Sequence, residues 1–150
     1  AIWFHDFVYS PKSATNEDES AEIAFDWLHK LGAANPDLVR DLIQSTANYL
    51  NQPRKGFTYR IMHDIDLSIL GSEEEVYLQY ENGIRAEFNH LTDREFFPAR
   101  EEFLRKLLKL YPLFSLDIFE LQWEEKARQN IEKELERIRK VRILFPPIGK

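Results

Sequence analysis

Two His-Asp dipeptides, His5-Asp6 and His63-Asp64, with Asp66 just beyond the second, are the side chains whose types suit metal chemistry. Imidazole nitrogen together with carboxylate oxygen suits divalent manganese, iron, cobalt, nickel or zinc, and a carboxylate-rich site also admits magnesium. Adjacent side chains do not normally point the same way on a helix. His5 and Asp6 therefore serve one ion only where the helix ends or kinks, which the loop after Tyr9 allows. The plain alternative is a hydrogen-bonded histidine among Trp3, Phe4 and Phe7, with Asp6 capping a nearby group. His63 becomes a ligand if the register of the second dipeptide is used. His29, near a helix C-terminus, and His90, in a loop before Thr92, have structural explanations. The chain has no cysteine, so thiolate ligands, disulfides and a cysteine nucleophile are absent, and it contains neither a Gly-rich phosphate loop nor a serine nucleophile motif.

The elements that must position these residues read as helices throughout, without a β-hairpin signal. Residues 1–9 form a short apolar helix, followed by a polar loop broken by Pro11. Asn16 caps the next helix, Glu17, Asp18 and Glu19 fill its first turn, and Gly32 stands at its end, with Ile23, Ala24, Trp27, Leu28 and Leu31 inward. Asn35 before Pro36 starts another, which places Leu38, Leu42, Ile43, Thr46 and Leu50 at helical spacing and ends over residues 52–56. A segment from about 57 to 70 carries His63, Asp64 and Asp66 and stops at Gly71. Ser72 with Glu75 makes a capping box ahead of a Val76, Tyr80, Ile84, Phe88 stripe, and Thr92 with Glu95 repeats the device. Phe103, Leu104, Leu107 and Leu108 follow in a helix interrupted near Pro98. A long helix over about 115–140 turns Ala127, Ile131, Leu135 and Ile138 inward, and residues 145–150 have no regular pattern. The aromatic residues, 13% of the chain, recur at helical spacing and read as core instead of a base-stacking platform.

At 150 residues the default is one all-α domain large enough for a real core, and 43% hydrophobic with 31% charged residues reads as globular and soluble. The net charge of −6 disfavours generic binding to nucleic acid. No apolar run approaches the ~20 residues needed to span a bilayer, and the start has neither basic leader nor cleavage site. A cytoplasmic, non-membrane protein is the expectation. The apolar stretch Ile2, Trp3, Phe4, Phe7, Val8 looks like the middle of a buried helix, which predicts further residues upstream of Ala1.

The run Ala1-Ile2-Trp3-Phe4-His5-Asp6-Phe7-Val8-Tyr9, then Pro11, Asn16-Glu17 and Ser20-Ala21-Glu22, resembles the HD-superfamily predicted metal-dependent phosphohydrolases. Asp64-Ile65-Asp66-Leu67-Ser68-Ile69-Leu70-Gly71 is similar to that family's D-x-D-L-x-I-L-G segment, the most specific part of the match. Tyr80, Ile84-Arg85, Glu87-Phe88, Arg100, and Glu125 with Ala127-Arg128-Gln129-Asn130 resemble its C-terminal half, so the likeness runs to about residue 140.

The resemblance implies a single HD-domain helical bundle that lacks its N-terminal helix here. It also implies one divalent metal held by an upstream histidine, the HD pair His5 and Asp6, and a later aspartate. Comparison with the broader superfamily favours Asp66, which precedes Leu67, as that aspartate, with Asp64 as a partner behind it. No histidine precedes His5, and Ser45-Thr46-Ala47-Asn48-Tyr49 lacks the histidine that relatives often carry after a threonine, which argues against a two-metal site. The implied activity is hydrolysis of a small phosphorylated substrate, a nucleotide among the candidates, by metal-activated water. Glu17 is the candidate for orienting that water, alongside its plain role as a helix N-terminal charge. Lys12, Arg85, Arg100 and Arg128 are candidates to grip phosphate, and each alone also reads as a surface charge or structural ion pair. The competing reading is a non-catalytic HD-fold module that binds a ligand or protein partner.

Overall fold

A computed structural model describes residues 1–47 and 56–144 of the chain. The described residues are all-α: six α-helices and one 3-10 helix, with no strand among them. They fall into two compact units, Ala1–Asp66 and a second beginning at Leu67. Among the described residues no helix is long and apolar enough to cross a membrane. Leu50, residues 52–55 and residues 145–150 lie outside the described residues.

The first unit opens differently from expectation. Residues 1–9 run as successive turns instead of a helix, with Phe4 N–H donating to the Ala1 carbonyl at 2.8 Å and Phe7 N–H to the Phe4 carbonyl at 3.1 Å. So short a segment, rich in aromatic and β-branched side chains, does not overcome the cost of helix nucleation. Helix α1 (Asn16–Lys30) follows, with Thr15 at its N-cap position. It ends as the sequence predicts: Gly32 takes φ +65°, its N–H reaches the His29 carbonyl at 3.0 Å, and Ala33 N–H reaches Leu28 at 2.9 Å. This pair of bonds satisfies carbonyls that the helix end leaves open. Helix α2 (Pro36–Thr46) starts after Asn35, which sits in the left-handed region at φ 58°.

Helix α1 meets α2 through its small residues Ala21 and Ala24, which are fully buried together with Ile43 of α2, and Phe4 and Val39 pack on them. The inward stripe is therefore narrower than expected. Trp27 lies to the side of the seam and Leu31 past the helix end, and both are exposed, as is Leu38. Helix α3 (Phe57–Asp66) leans on α2 and runs directly into the 3-10 helix Leu67–Gly71.

The second unit comprises that 3-10 helix, α4 (Glu74–Glu87), α5 (Asp93–Lys109) and α6 (Asp117–Leu144). Gly71 is required by packing, because a Cβ there would overlap the Trp123 side chain. Asn130 of α6 donates its amide to the carbonyls of Leu70 and Ser72, both at 2.9 Å, and so fixes the same turn. The expected Ser72 capping box does not form. Helix α4 begins two residues later with Glu73 at the N-cap position, and its buried residue is Tyr77, one place beyond the exposed Val76. At Thr92 the device does appear, since the Glu95 carboxylate accepts the Thr92 N–H at 2.8 Å and its hydroxyl at 2.7 Å. Pro98 does not interrupt α5. The lost backbone bond is outweighed by a buried face of Phe96, Arg100, Leu104 and Leu107.

Beneath α4 and α5 lies a charged core. Glu134 accepts two bonds from Arg100, at 2.7 and 3.2 Å, and one from the Tyr77 hydroxyl at 2.6 Å, and all three side chains are buried. Burial and the Glu134 carboxylate push the Tyr77 hydroxyl far above its ordinary titration range. Such a pair holds only because each partner satisfies the other.

Candidate metal centre

The His5-Asp6 segment is clamped to α1 by two residues four apart on one helix face. Asn16 accepts the Ser10 N–H at 2.9 Å and returns its own amide to the Ser10 carbonyl at 2.9 Å. Ser20 accepts the Val8 N–H at 2.9 Å and donates to the Val8 carbonyl at 3.3 Å. Asn16 thus does not cap α1 through its side chain. It holds the loop that leaves Asp6, and the backbone of the dipeptide is fixed from behind.

His5 sits at the meeting point. Its Nδ1 lies 2.8 Å from the Ile2 carbonyl, an acceptor, so Nδ1 carries the proton and Nε2 faces outward. Asp6 lies 3.2 Å and Asp66 3.1 Å from Nε2. His5 and Asp66 are largely enclosed, at 19% and 24% exposure, whereas Asp6 is 64% exposed. A neutral imidazole would present its lone pair to two carboxylates, which repel it. The arrangement thus requires a cation between them, either a proton or a metal ion. As a proton site, the hydrogen bonds that His5 Nε2–H donates to Asp6 and then Asp66 push His5 up to about 10 despite partial burial.

The donor chemistry fits a divalent ion: one nitrogen and two carboxylates, with the second ring nitrogen tied to a backbone carbonyl as metal-bound histidines ordinarily are. Ligand bonds of ~2.0–2.2 Å set neighbouring donors roughly 3.0–3.5 Å apart, a range that includes both Nε2–carboxylate distances without placing an ion between them. Among the described residues, however, no three such side chains are already disposed around a common ion position. Both carboxylates are turned onto His5, and holding an ion requires them to swing away from it.

The other sequence candidates fall in different places. Asp64 is fully buried, on a different side of α3 from Asp66. His63 is also buried, at 2% exposure, and its Nε2 lies 2.9 Å from Ser45 Oγ on α2. Glu17 stands in the first turn of α1, half-buried, and Lys12 is exposed in the loop before it. Neither side chain makes a hydrogen bond or ion pair with the described residues. The three arginines belong to the second unit and are engaged within it. Arg85 pairs with Asp93 at 2.7 Å and reaches the Phe88 and Leu91 carbonyls, while Arg100 is held by Glu134. Arg128 pairs with Glu124 at 2.6 Å and donates to the Leu108 and Leu110 carbonyls at the end of α5. Their guanidinium groups are committed to structural bonds.

The aromatic expectation is corrected for Trp3, Phe7 and Tyr9, which are exposed around the dipeptide instead of forming core. Sequence reasoning did not single out the Ile2 carbonyl, Ser45 or Glu134. Glu134 was detectable, because it falls on the inward row of Ala127, Ile131 and Ile138 at helical spacing. Comparison with known proteins returns no matching protein family, curated protein or solved structure.

Proposed function

We propose that this chain is a metal-dependent phosphohydrolase of the HD-domain kind, with His5, Asp6 and Asp66 as the ligands of one divalent ion. The observation that carries the reading is the meeting of two carboxylates from distant parts of the sequence on the same outward imidazole nitrogen. Divalent manganese, iron, cobalt, nickel, zinc and magnesium are the candidates by donor type.

When bound, such an ion supplies Lewis acidity toward a phosphoryl oxygen and acidifies water. The protein's own groups do the rest. Ile2 fixes the His5 ring through Nδ1, and Asn16 and Ser20 fix the backbone that presents Asp6. Glu17, whose carboxylate has no hydrogen-bond or ion-pair partner among the described residues, takes the proton of the attacking water. Lys12, an exposed cation in the loop before α1, attracts the dianionic phosphate. Arg85, Arg100 and Arg128, proposed from the resemblance, would need to release internal partners to contribute. The substrate class is a small phosphoester.

One observation favours a second reading, a non-catalytic module: both carboxylates already close on His5, which a buried proton alone satisfies. The two readings separate in one experiment. Phosphate release from p-nitrophenyl phosphate and from nucleoside monophosphates is followed with and without added Mn²⁺ or Co²⁺. Metal-dependent release that Asp66→Ala abolishes supports the hydrolase. Absence of release in every metal, with helix content intact, refutes it.

A further inference from the structure

Ser45 and His63 lie outside the proposed ligand set, yet they close the frame that brings its halves together. Ser45 Oγ is 2.7 Å from the Leu42 carbonyl and 2.9 Å from His63 Nε2. A hydroxyl has one proton, and the carbonyl can only accept, so Ser45 donates to Leu42 and His63 donates its Nε2–H to Ser45. The two His-Asp dipeptides are thus built oppositely. His5 ties down Nδ1 and turns Nε2 toward carboxylates, whereas His63 turns Nε2 inward onto α2.

The consequence follows from the path of the chain. His5 and Asp6 are fastened through Val8 and Ser10 to α1, by Ser20 and Asn16. Helix α1 is fastened to α2 by the Ala21, Ala24 and Ile43 core and by Gln44 donating to Asp18 at 3.0 Å. Helix α2 meets α3 at Ser45 and His63, and α3 ends at Asp66, which returns to His5. His63 and Asp66 are three residues apart on α3, so they share a helix face. The rotation of α3 that seats His63 against Ser45 is the rotation that delivers Asp66 to His5.

We propose that the Ser45–His63 hydrogen bond is a positioning latch for the metal centre, setting the rotation of α3 so that Asp66, and not Asp64, reaches the ion. The proposal rests on the metal-centre reading above. His63 touches neither ion nor substrate. It acts through Asp66.

The test is a calorimetric titration of the full chain with Mn²⁺, comparing wild type, Ser45→Ala, His63→Leu and His63→Gln, with far-ultraviolet circular dichroism on each. Ser45→Ala and His63→Leu should each weaken Mn²⁺ roughly 10-fold or more at unchanged helix content, the scale of an outer-shell contact. Glutamine can place an amide N–H near the position of Nε2, so His63→Gln should stay within about 3-fold of wild type, well short of that outer-shell loss. Ser45→Ala removes little volume and keeps the test valid if His63→Leu fails to fold. Wild-type affinity in Ser45→Ala overturns the latch while leaving the metal centre standing, and so does a His63→Gln protein that loses binding alongside an unaffected Ser45→Ala. A wild-type chain that takes up no Mn²⁺ overturns the metal centre, and the latch with it.

Discussion

On the proposed reading, a metal ion at His5 would have to compete with the proton that the two carboxylates hold there. The His5 titration is raised from 6.5 to about 10, chiefly by Asp6 and then Asp66. At neutral pH His5 is therefore held in its protonated form, and an incoming metal ion must displace that proton. Affinity should therefore rise about tenfold per pH unit from pH 6 to 8.5, with about one proton released per ion. Calorimetric titration with Mn²⁺ in two buffers of different ionisation enthalpy counts that proton directly. The sign for stability is opposite. A raised folded-state pKa stabilises the metal-free protein fully below about 6.5, and this contribution is lost as pH rises through about 10. The metal-free melting temperature should thus decline over that window in wild type and lose this component in His5→Gln. A pH-independent Mn²⁺ affinity with no proton release would refute the protonated-cluster argument.

Replacing Glu134 by Ala strands buried Arg100 and removes the acceptor of Tyr77, which should cost about 3–5 kcal/mol. Thermal unfolding should fall by roughly 10 °C or more, and a shift near zero would mean the pair is dispensable. Asn16→Ala combined with Ser20→Ala should free the loop behind Asp6 and lower Mn²⁺ affinity roughly 10-fold, whereas unchanged affinity would show that the clamp does not position the ligand. Gly71→Ala drives a methyl into Trp123 and should cost about 1–3 kcal/mol, visible as a lower urea midpoint, with no change as the contrary result.

Helix order was legible in the sequence because caps and periodicity are local: Gly32, Asn35-Pro36, Gly71 and Thr92 with Glu95 all mark boundaries where expected. Rotation about each helix axis was less so. Val76 gave way to Tyr77, and Trp27 to Ala21 beside the expected Ala24, because the buried face is chosen by the neighbouring helix and not by the segment itself. At the candidate centre, residue types and the resemblance pointed to His5, Asp6 and Asp66, and those three side chains meet. The turn that exposes His5 Nε2 was legible only as the need for a helix end. The Ser45–His63 contact was not legible at all, since nothing local distinguishes a histidine that faces a neighbouring helix from one that faces an ion.

The central claim is that His5, Asp6 and Asp66 hold one divalent ion. Its most direct test is elemental analysis of the full chain after equilibration with Mn²⁺, Co²⁺ or Zn²⁺ and desalting, for wild type, Asp66→Ala and Asp64→Ala at matched helix content. Stoichiometric metal in wild type, little in Asp66→Ala and most of it retained in Asp64→Ala is the expected result. Equal metal content in wild type and Asp66→Ala would contradict it.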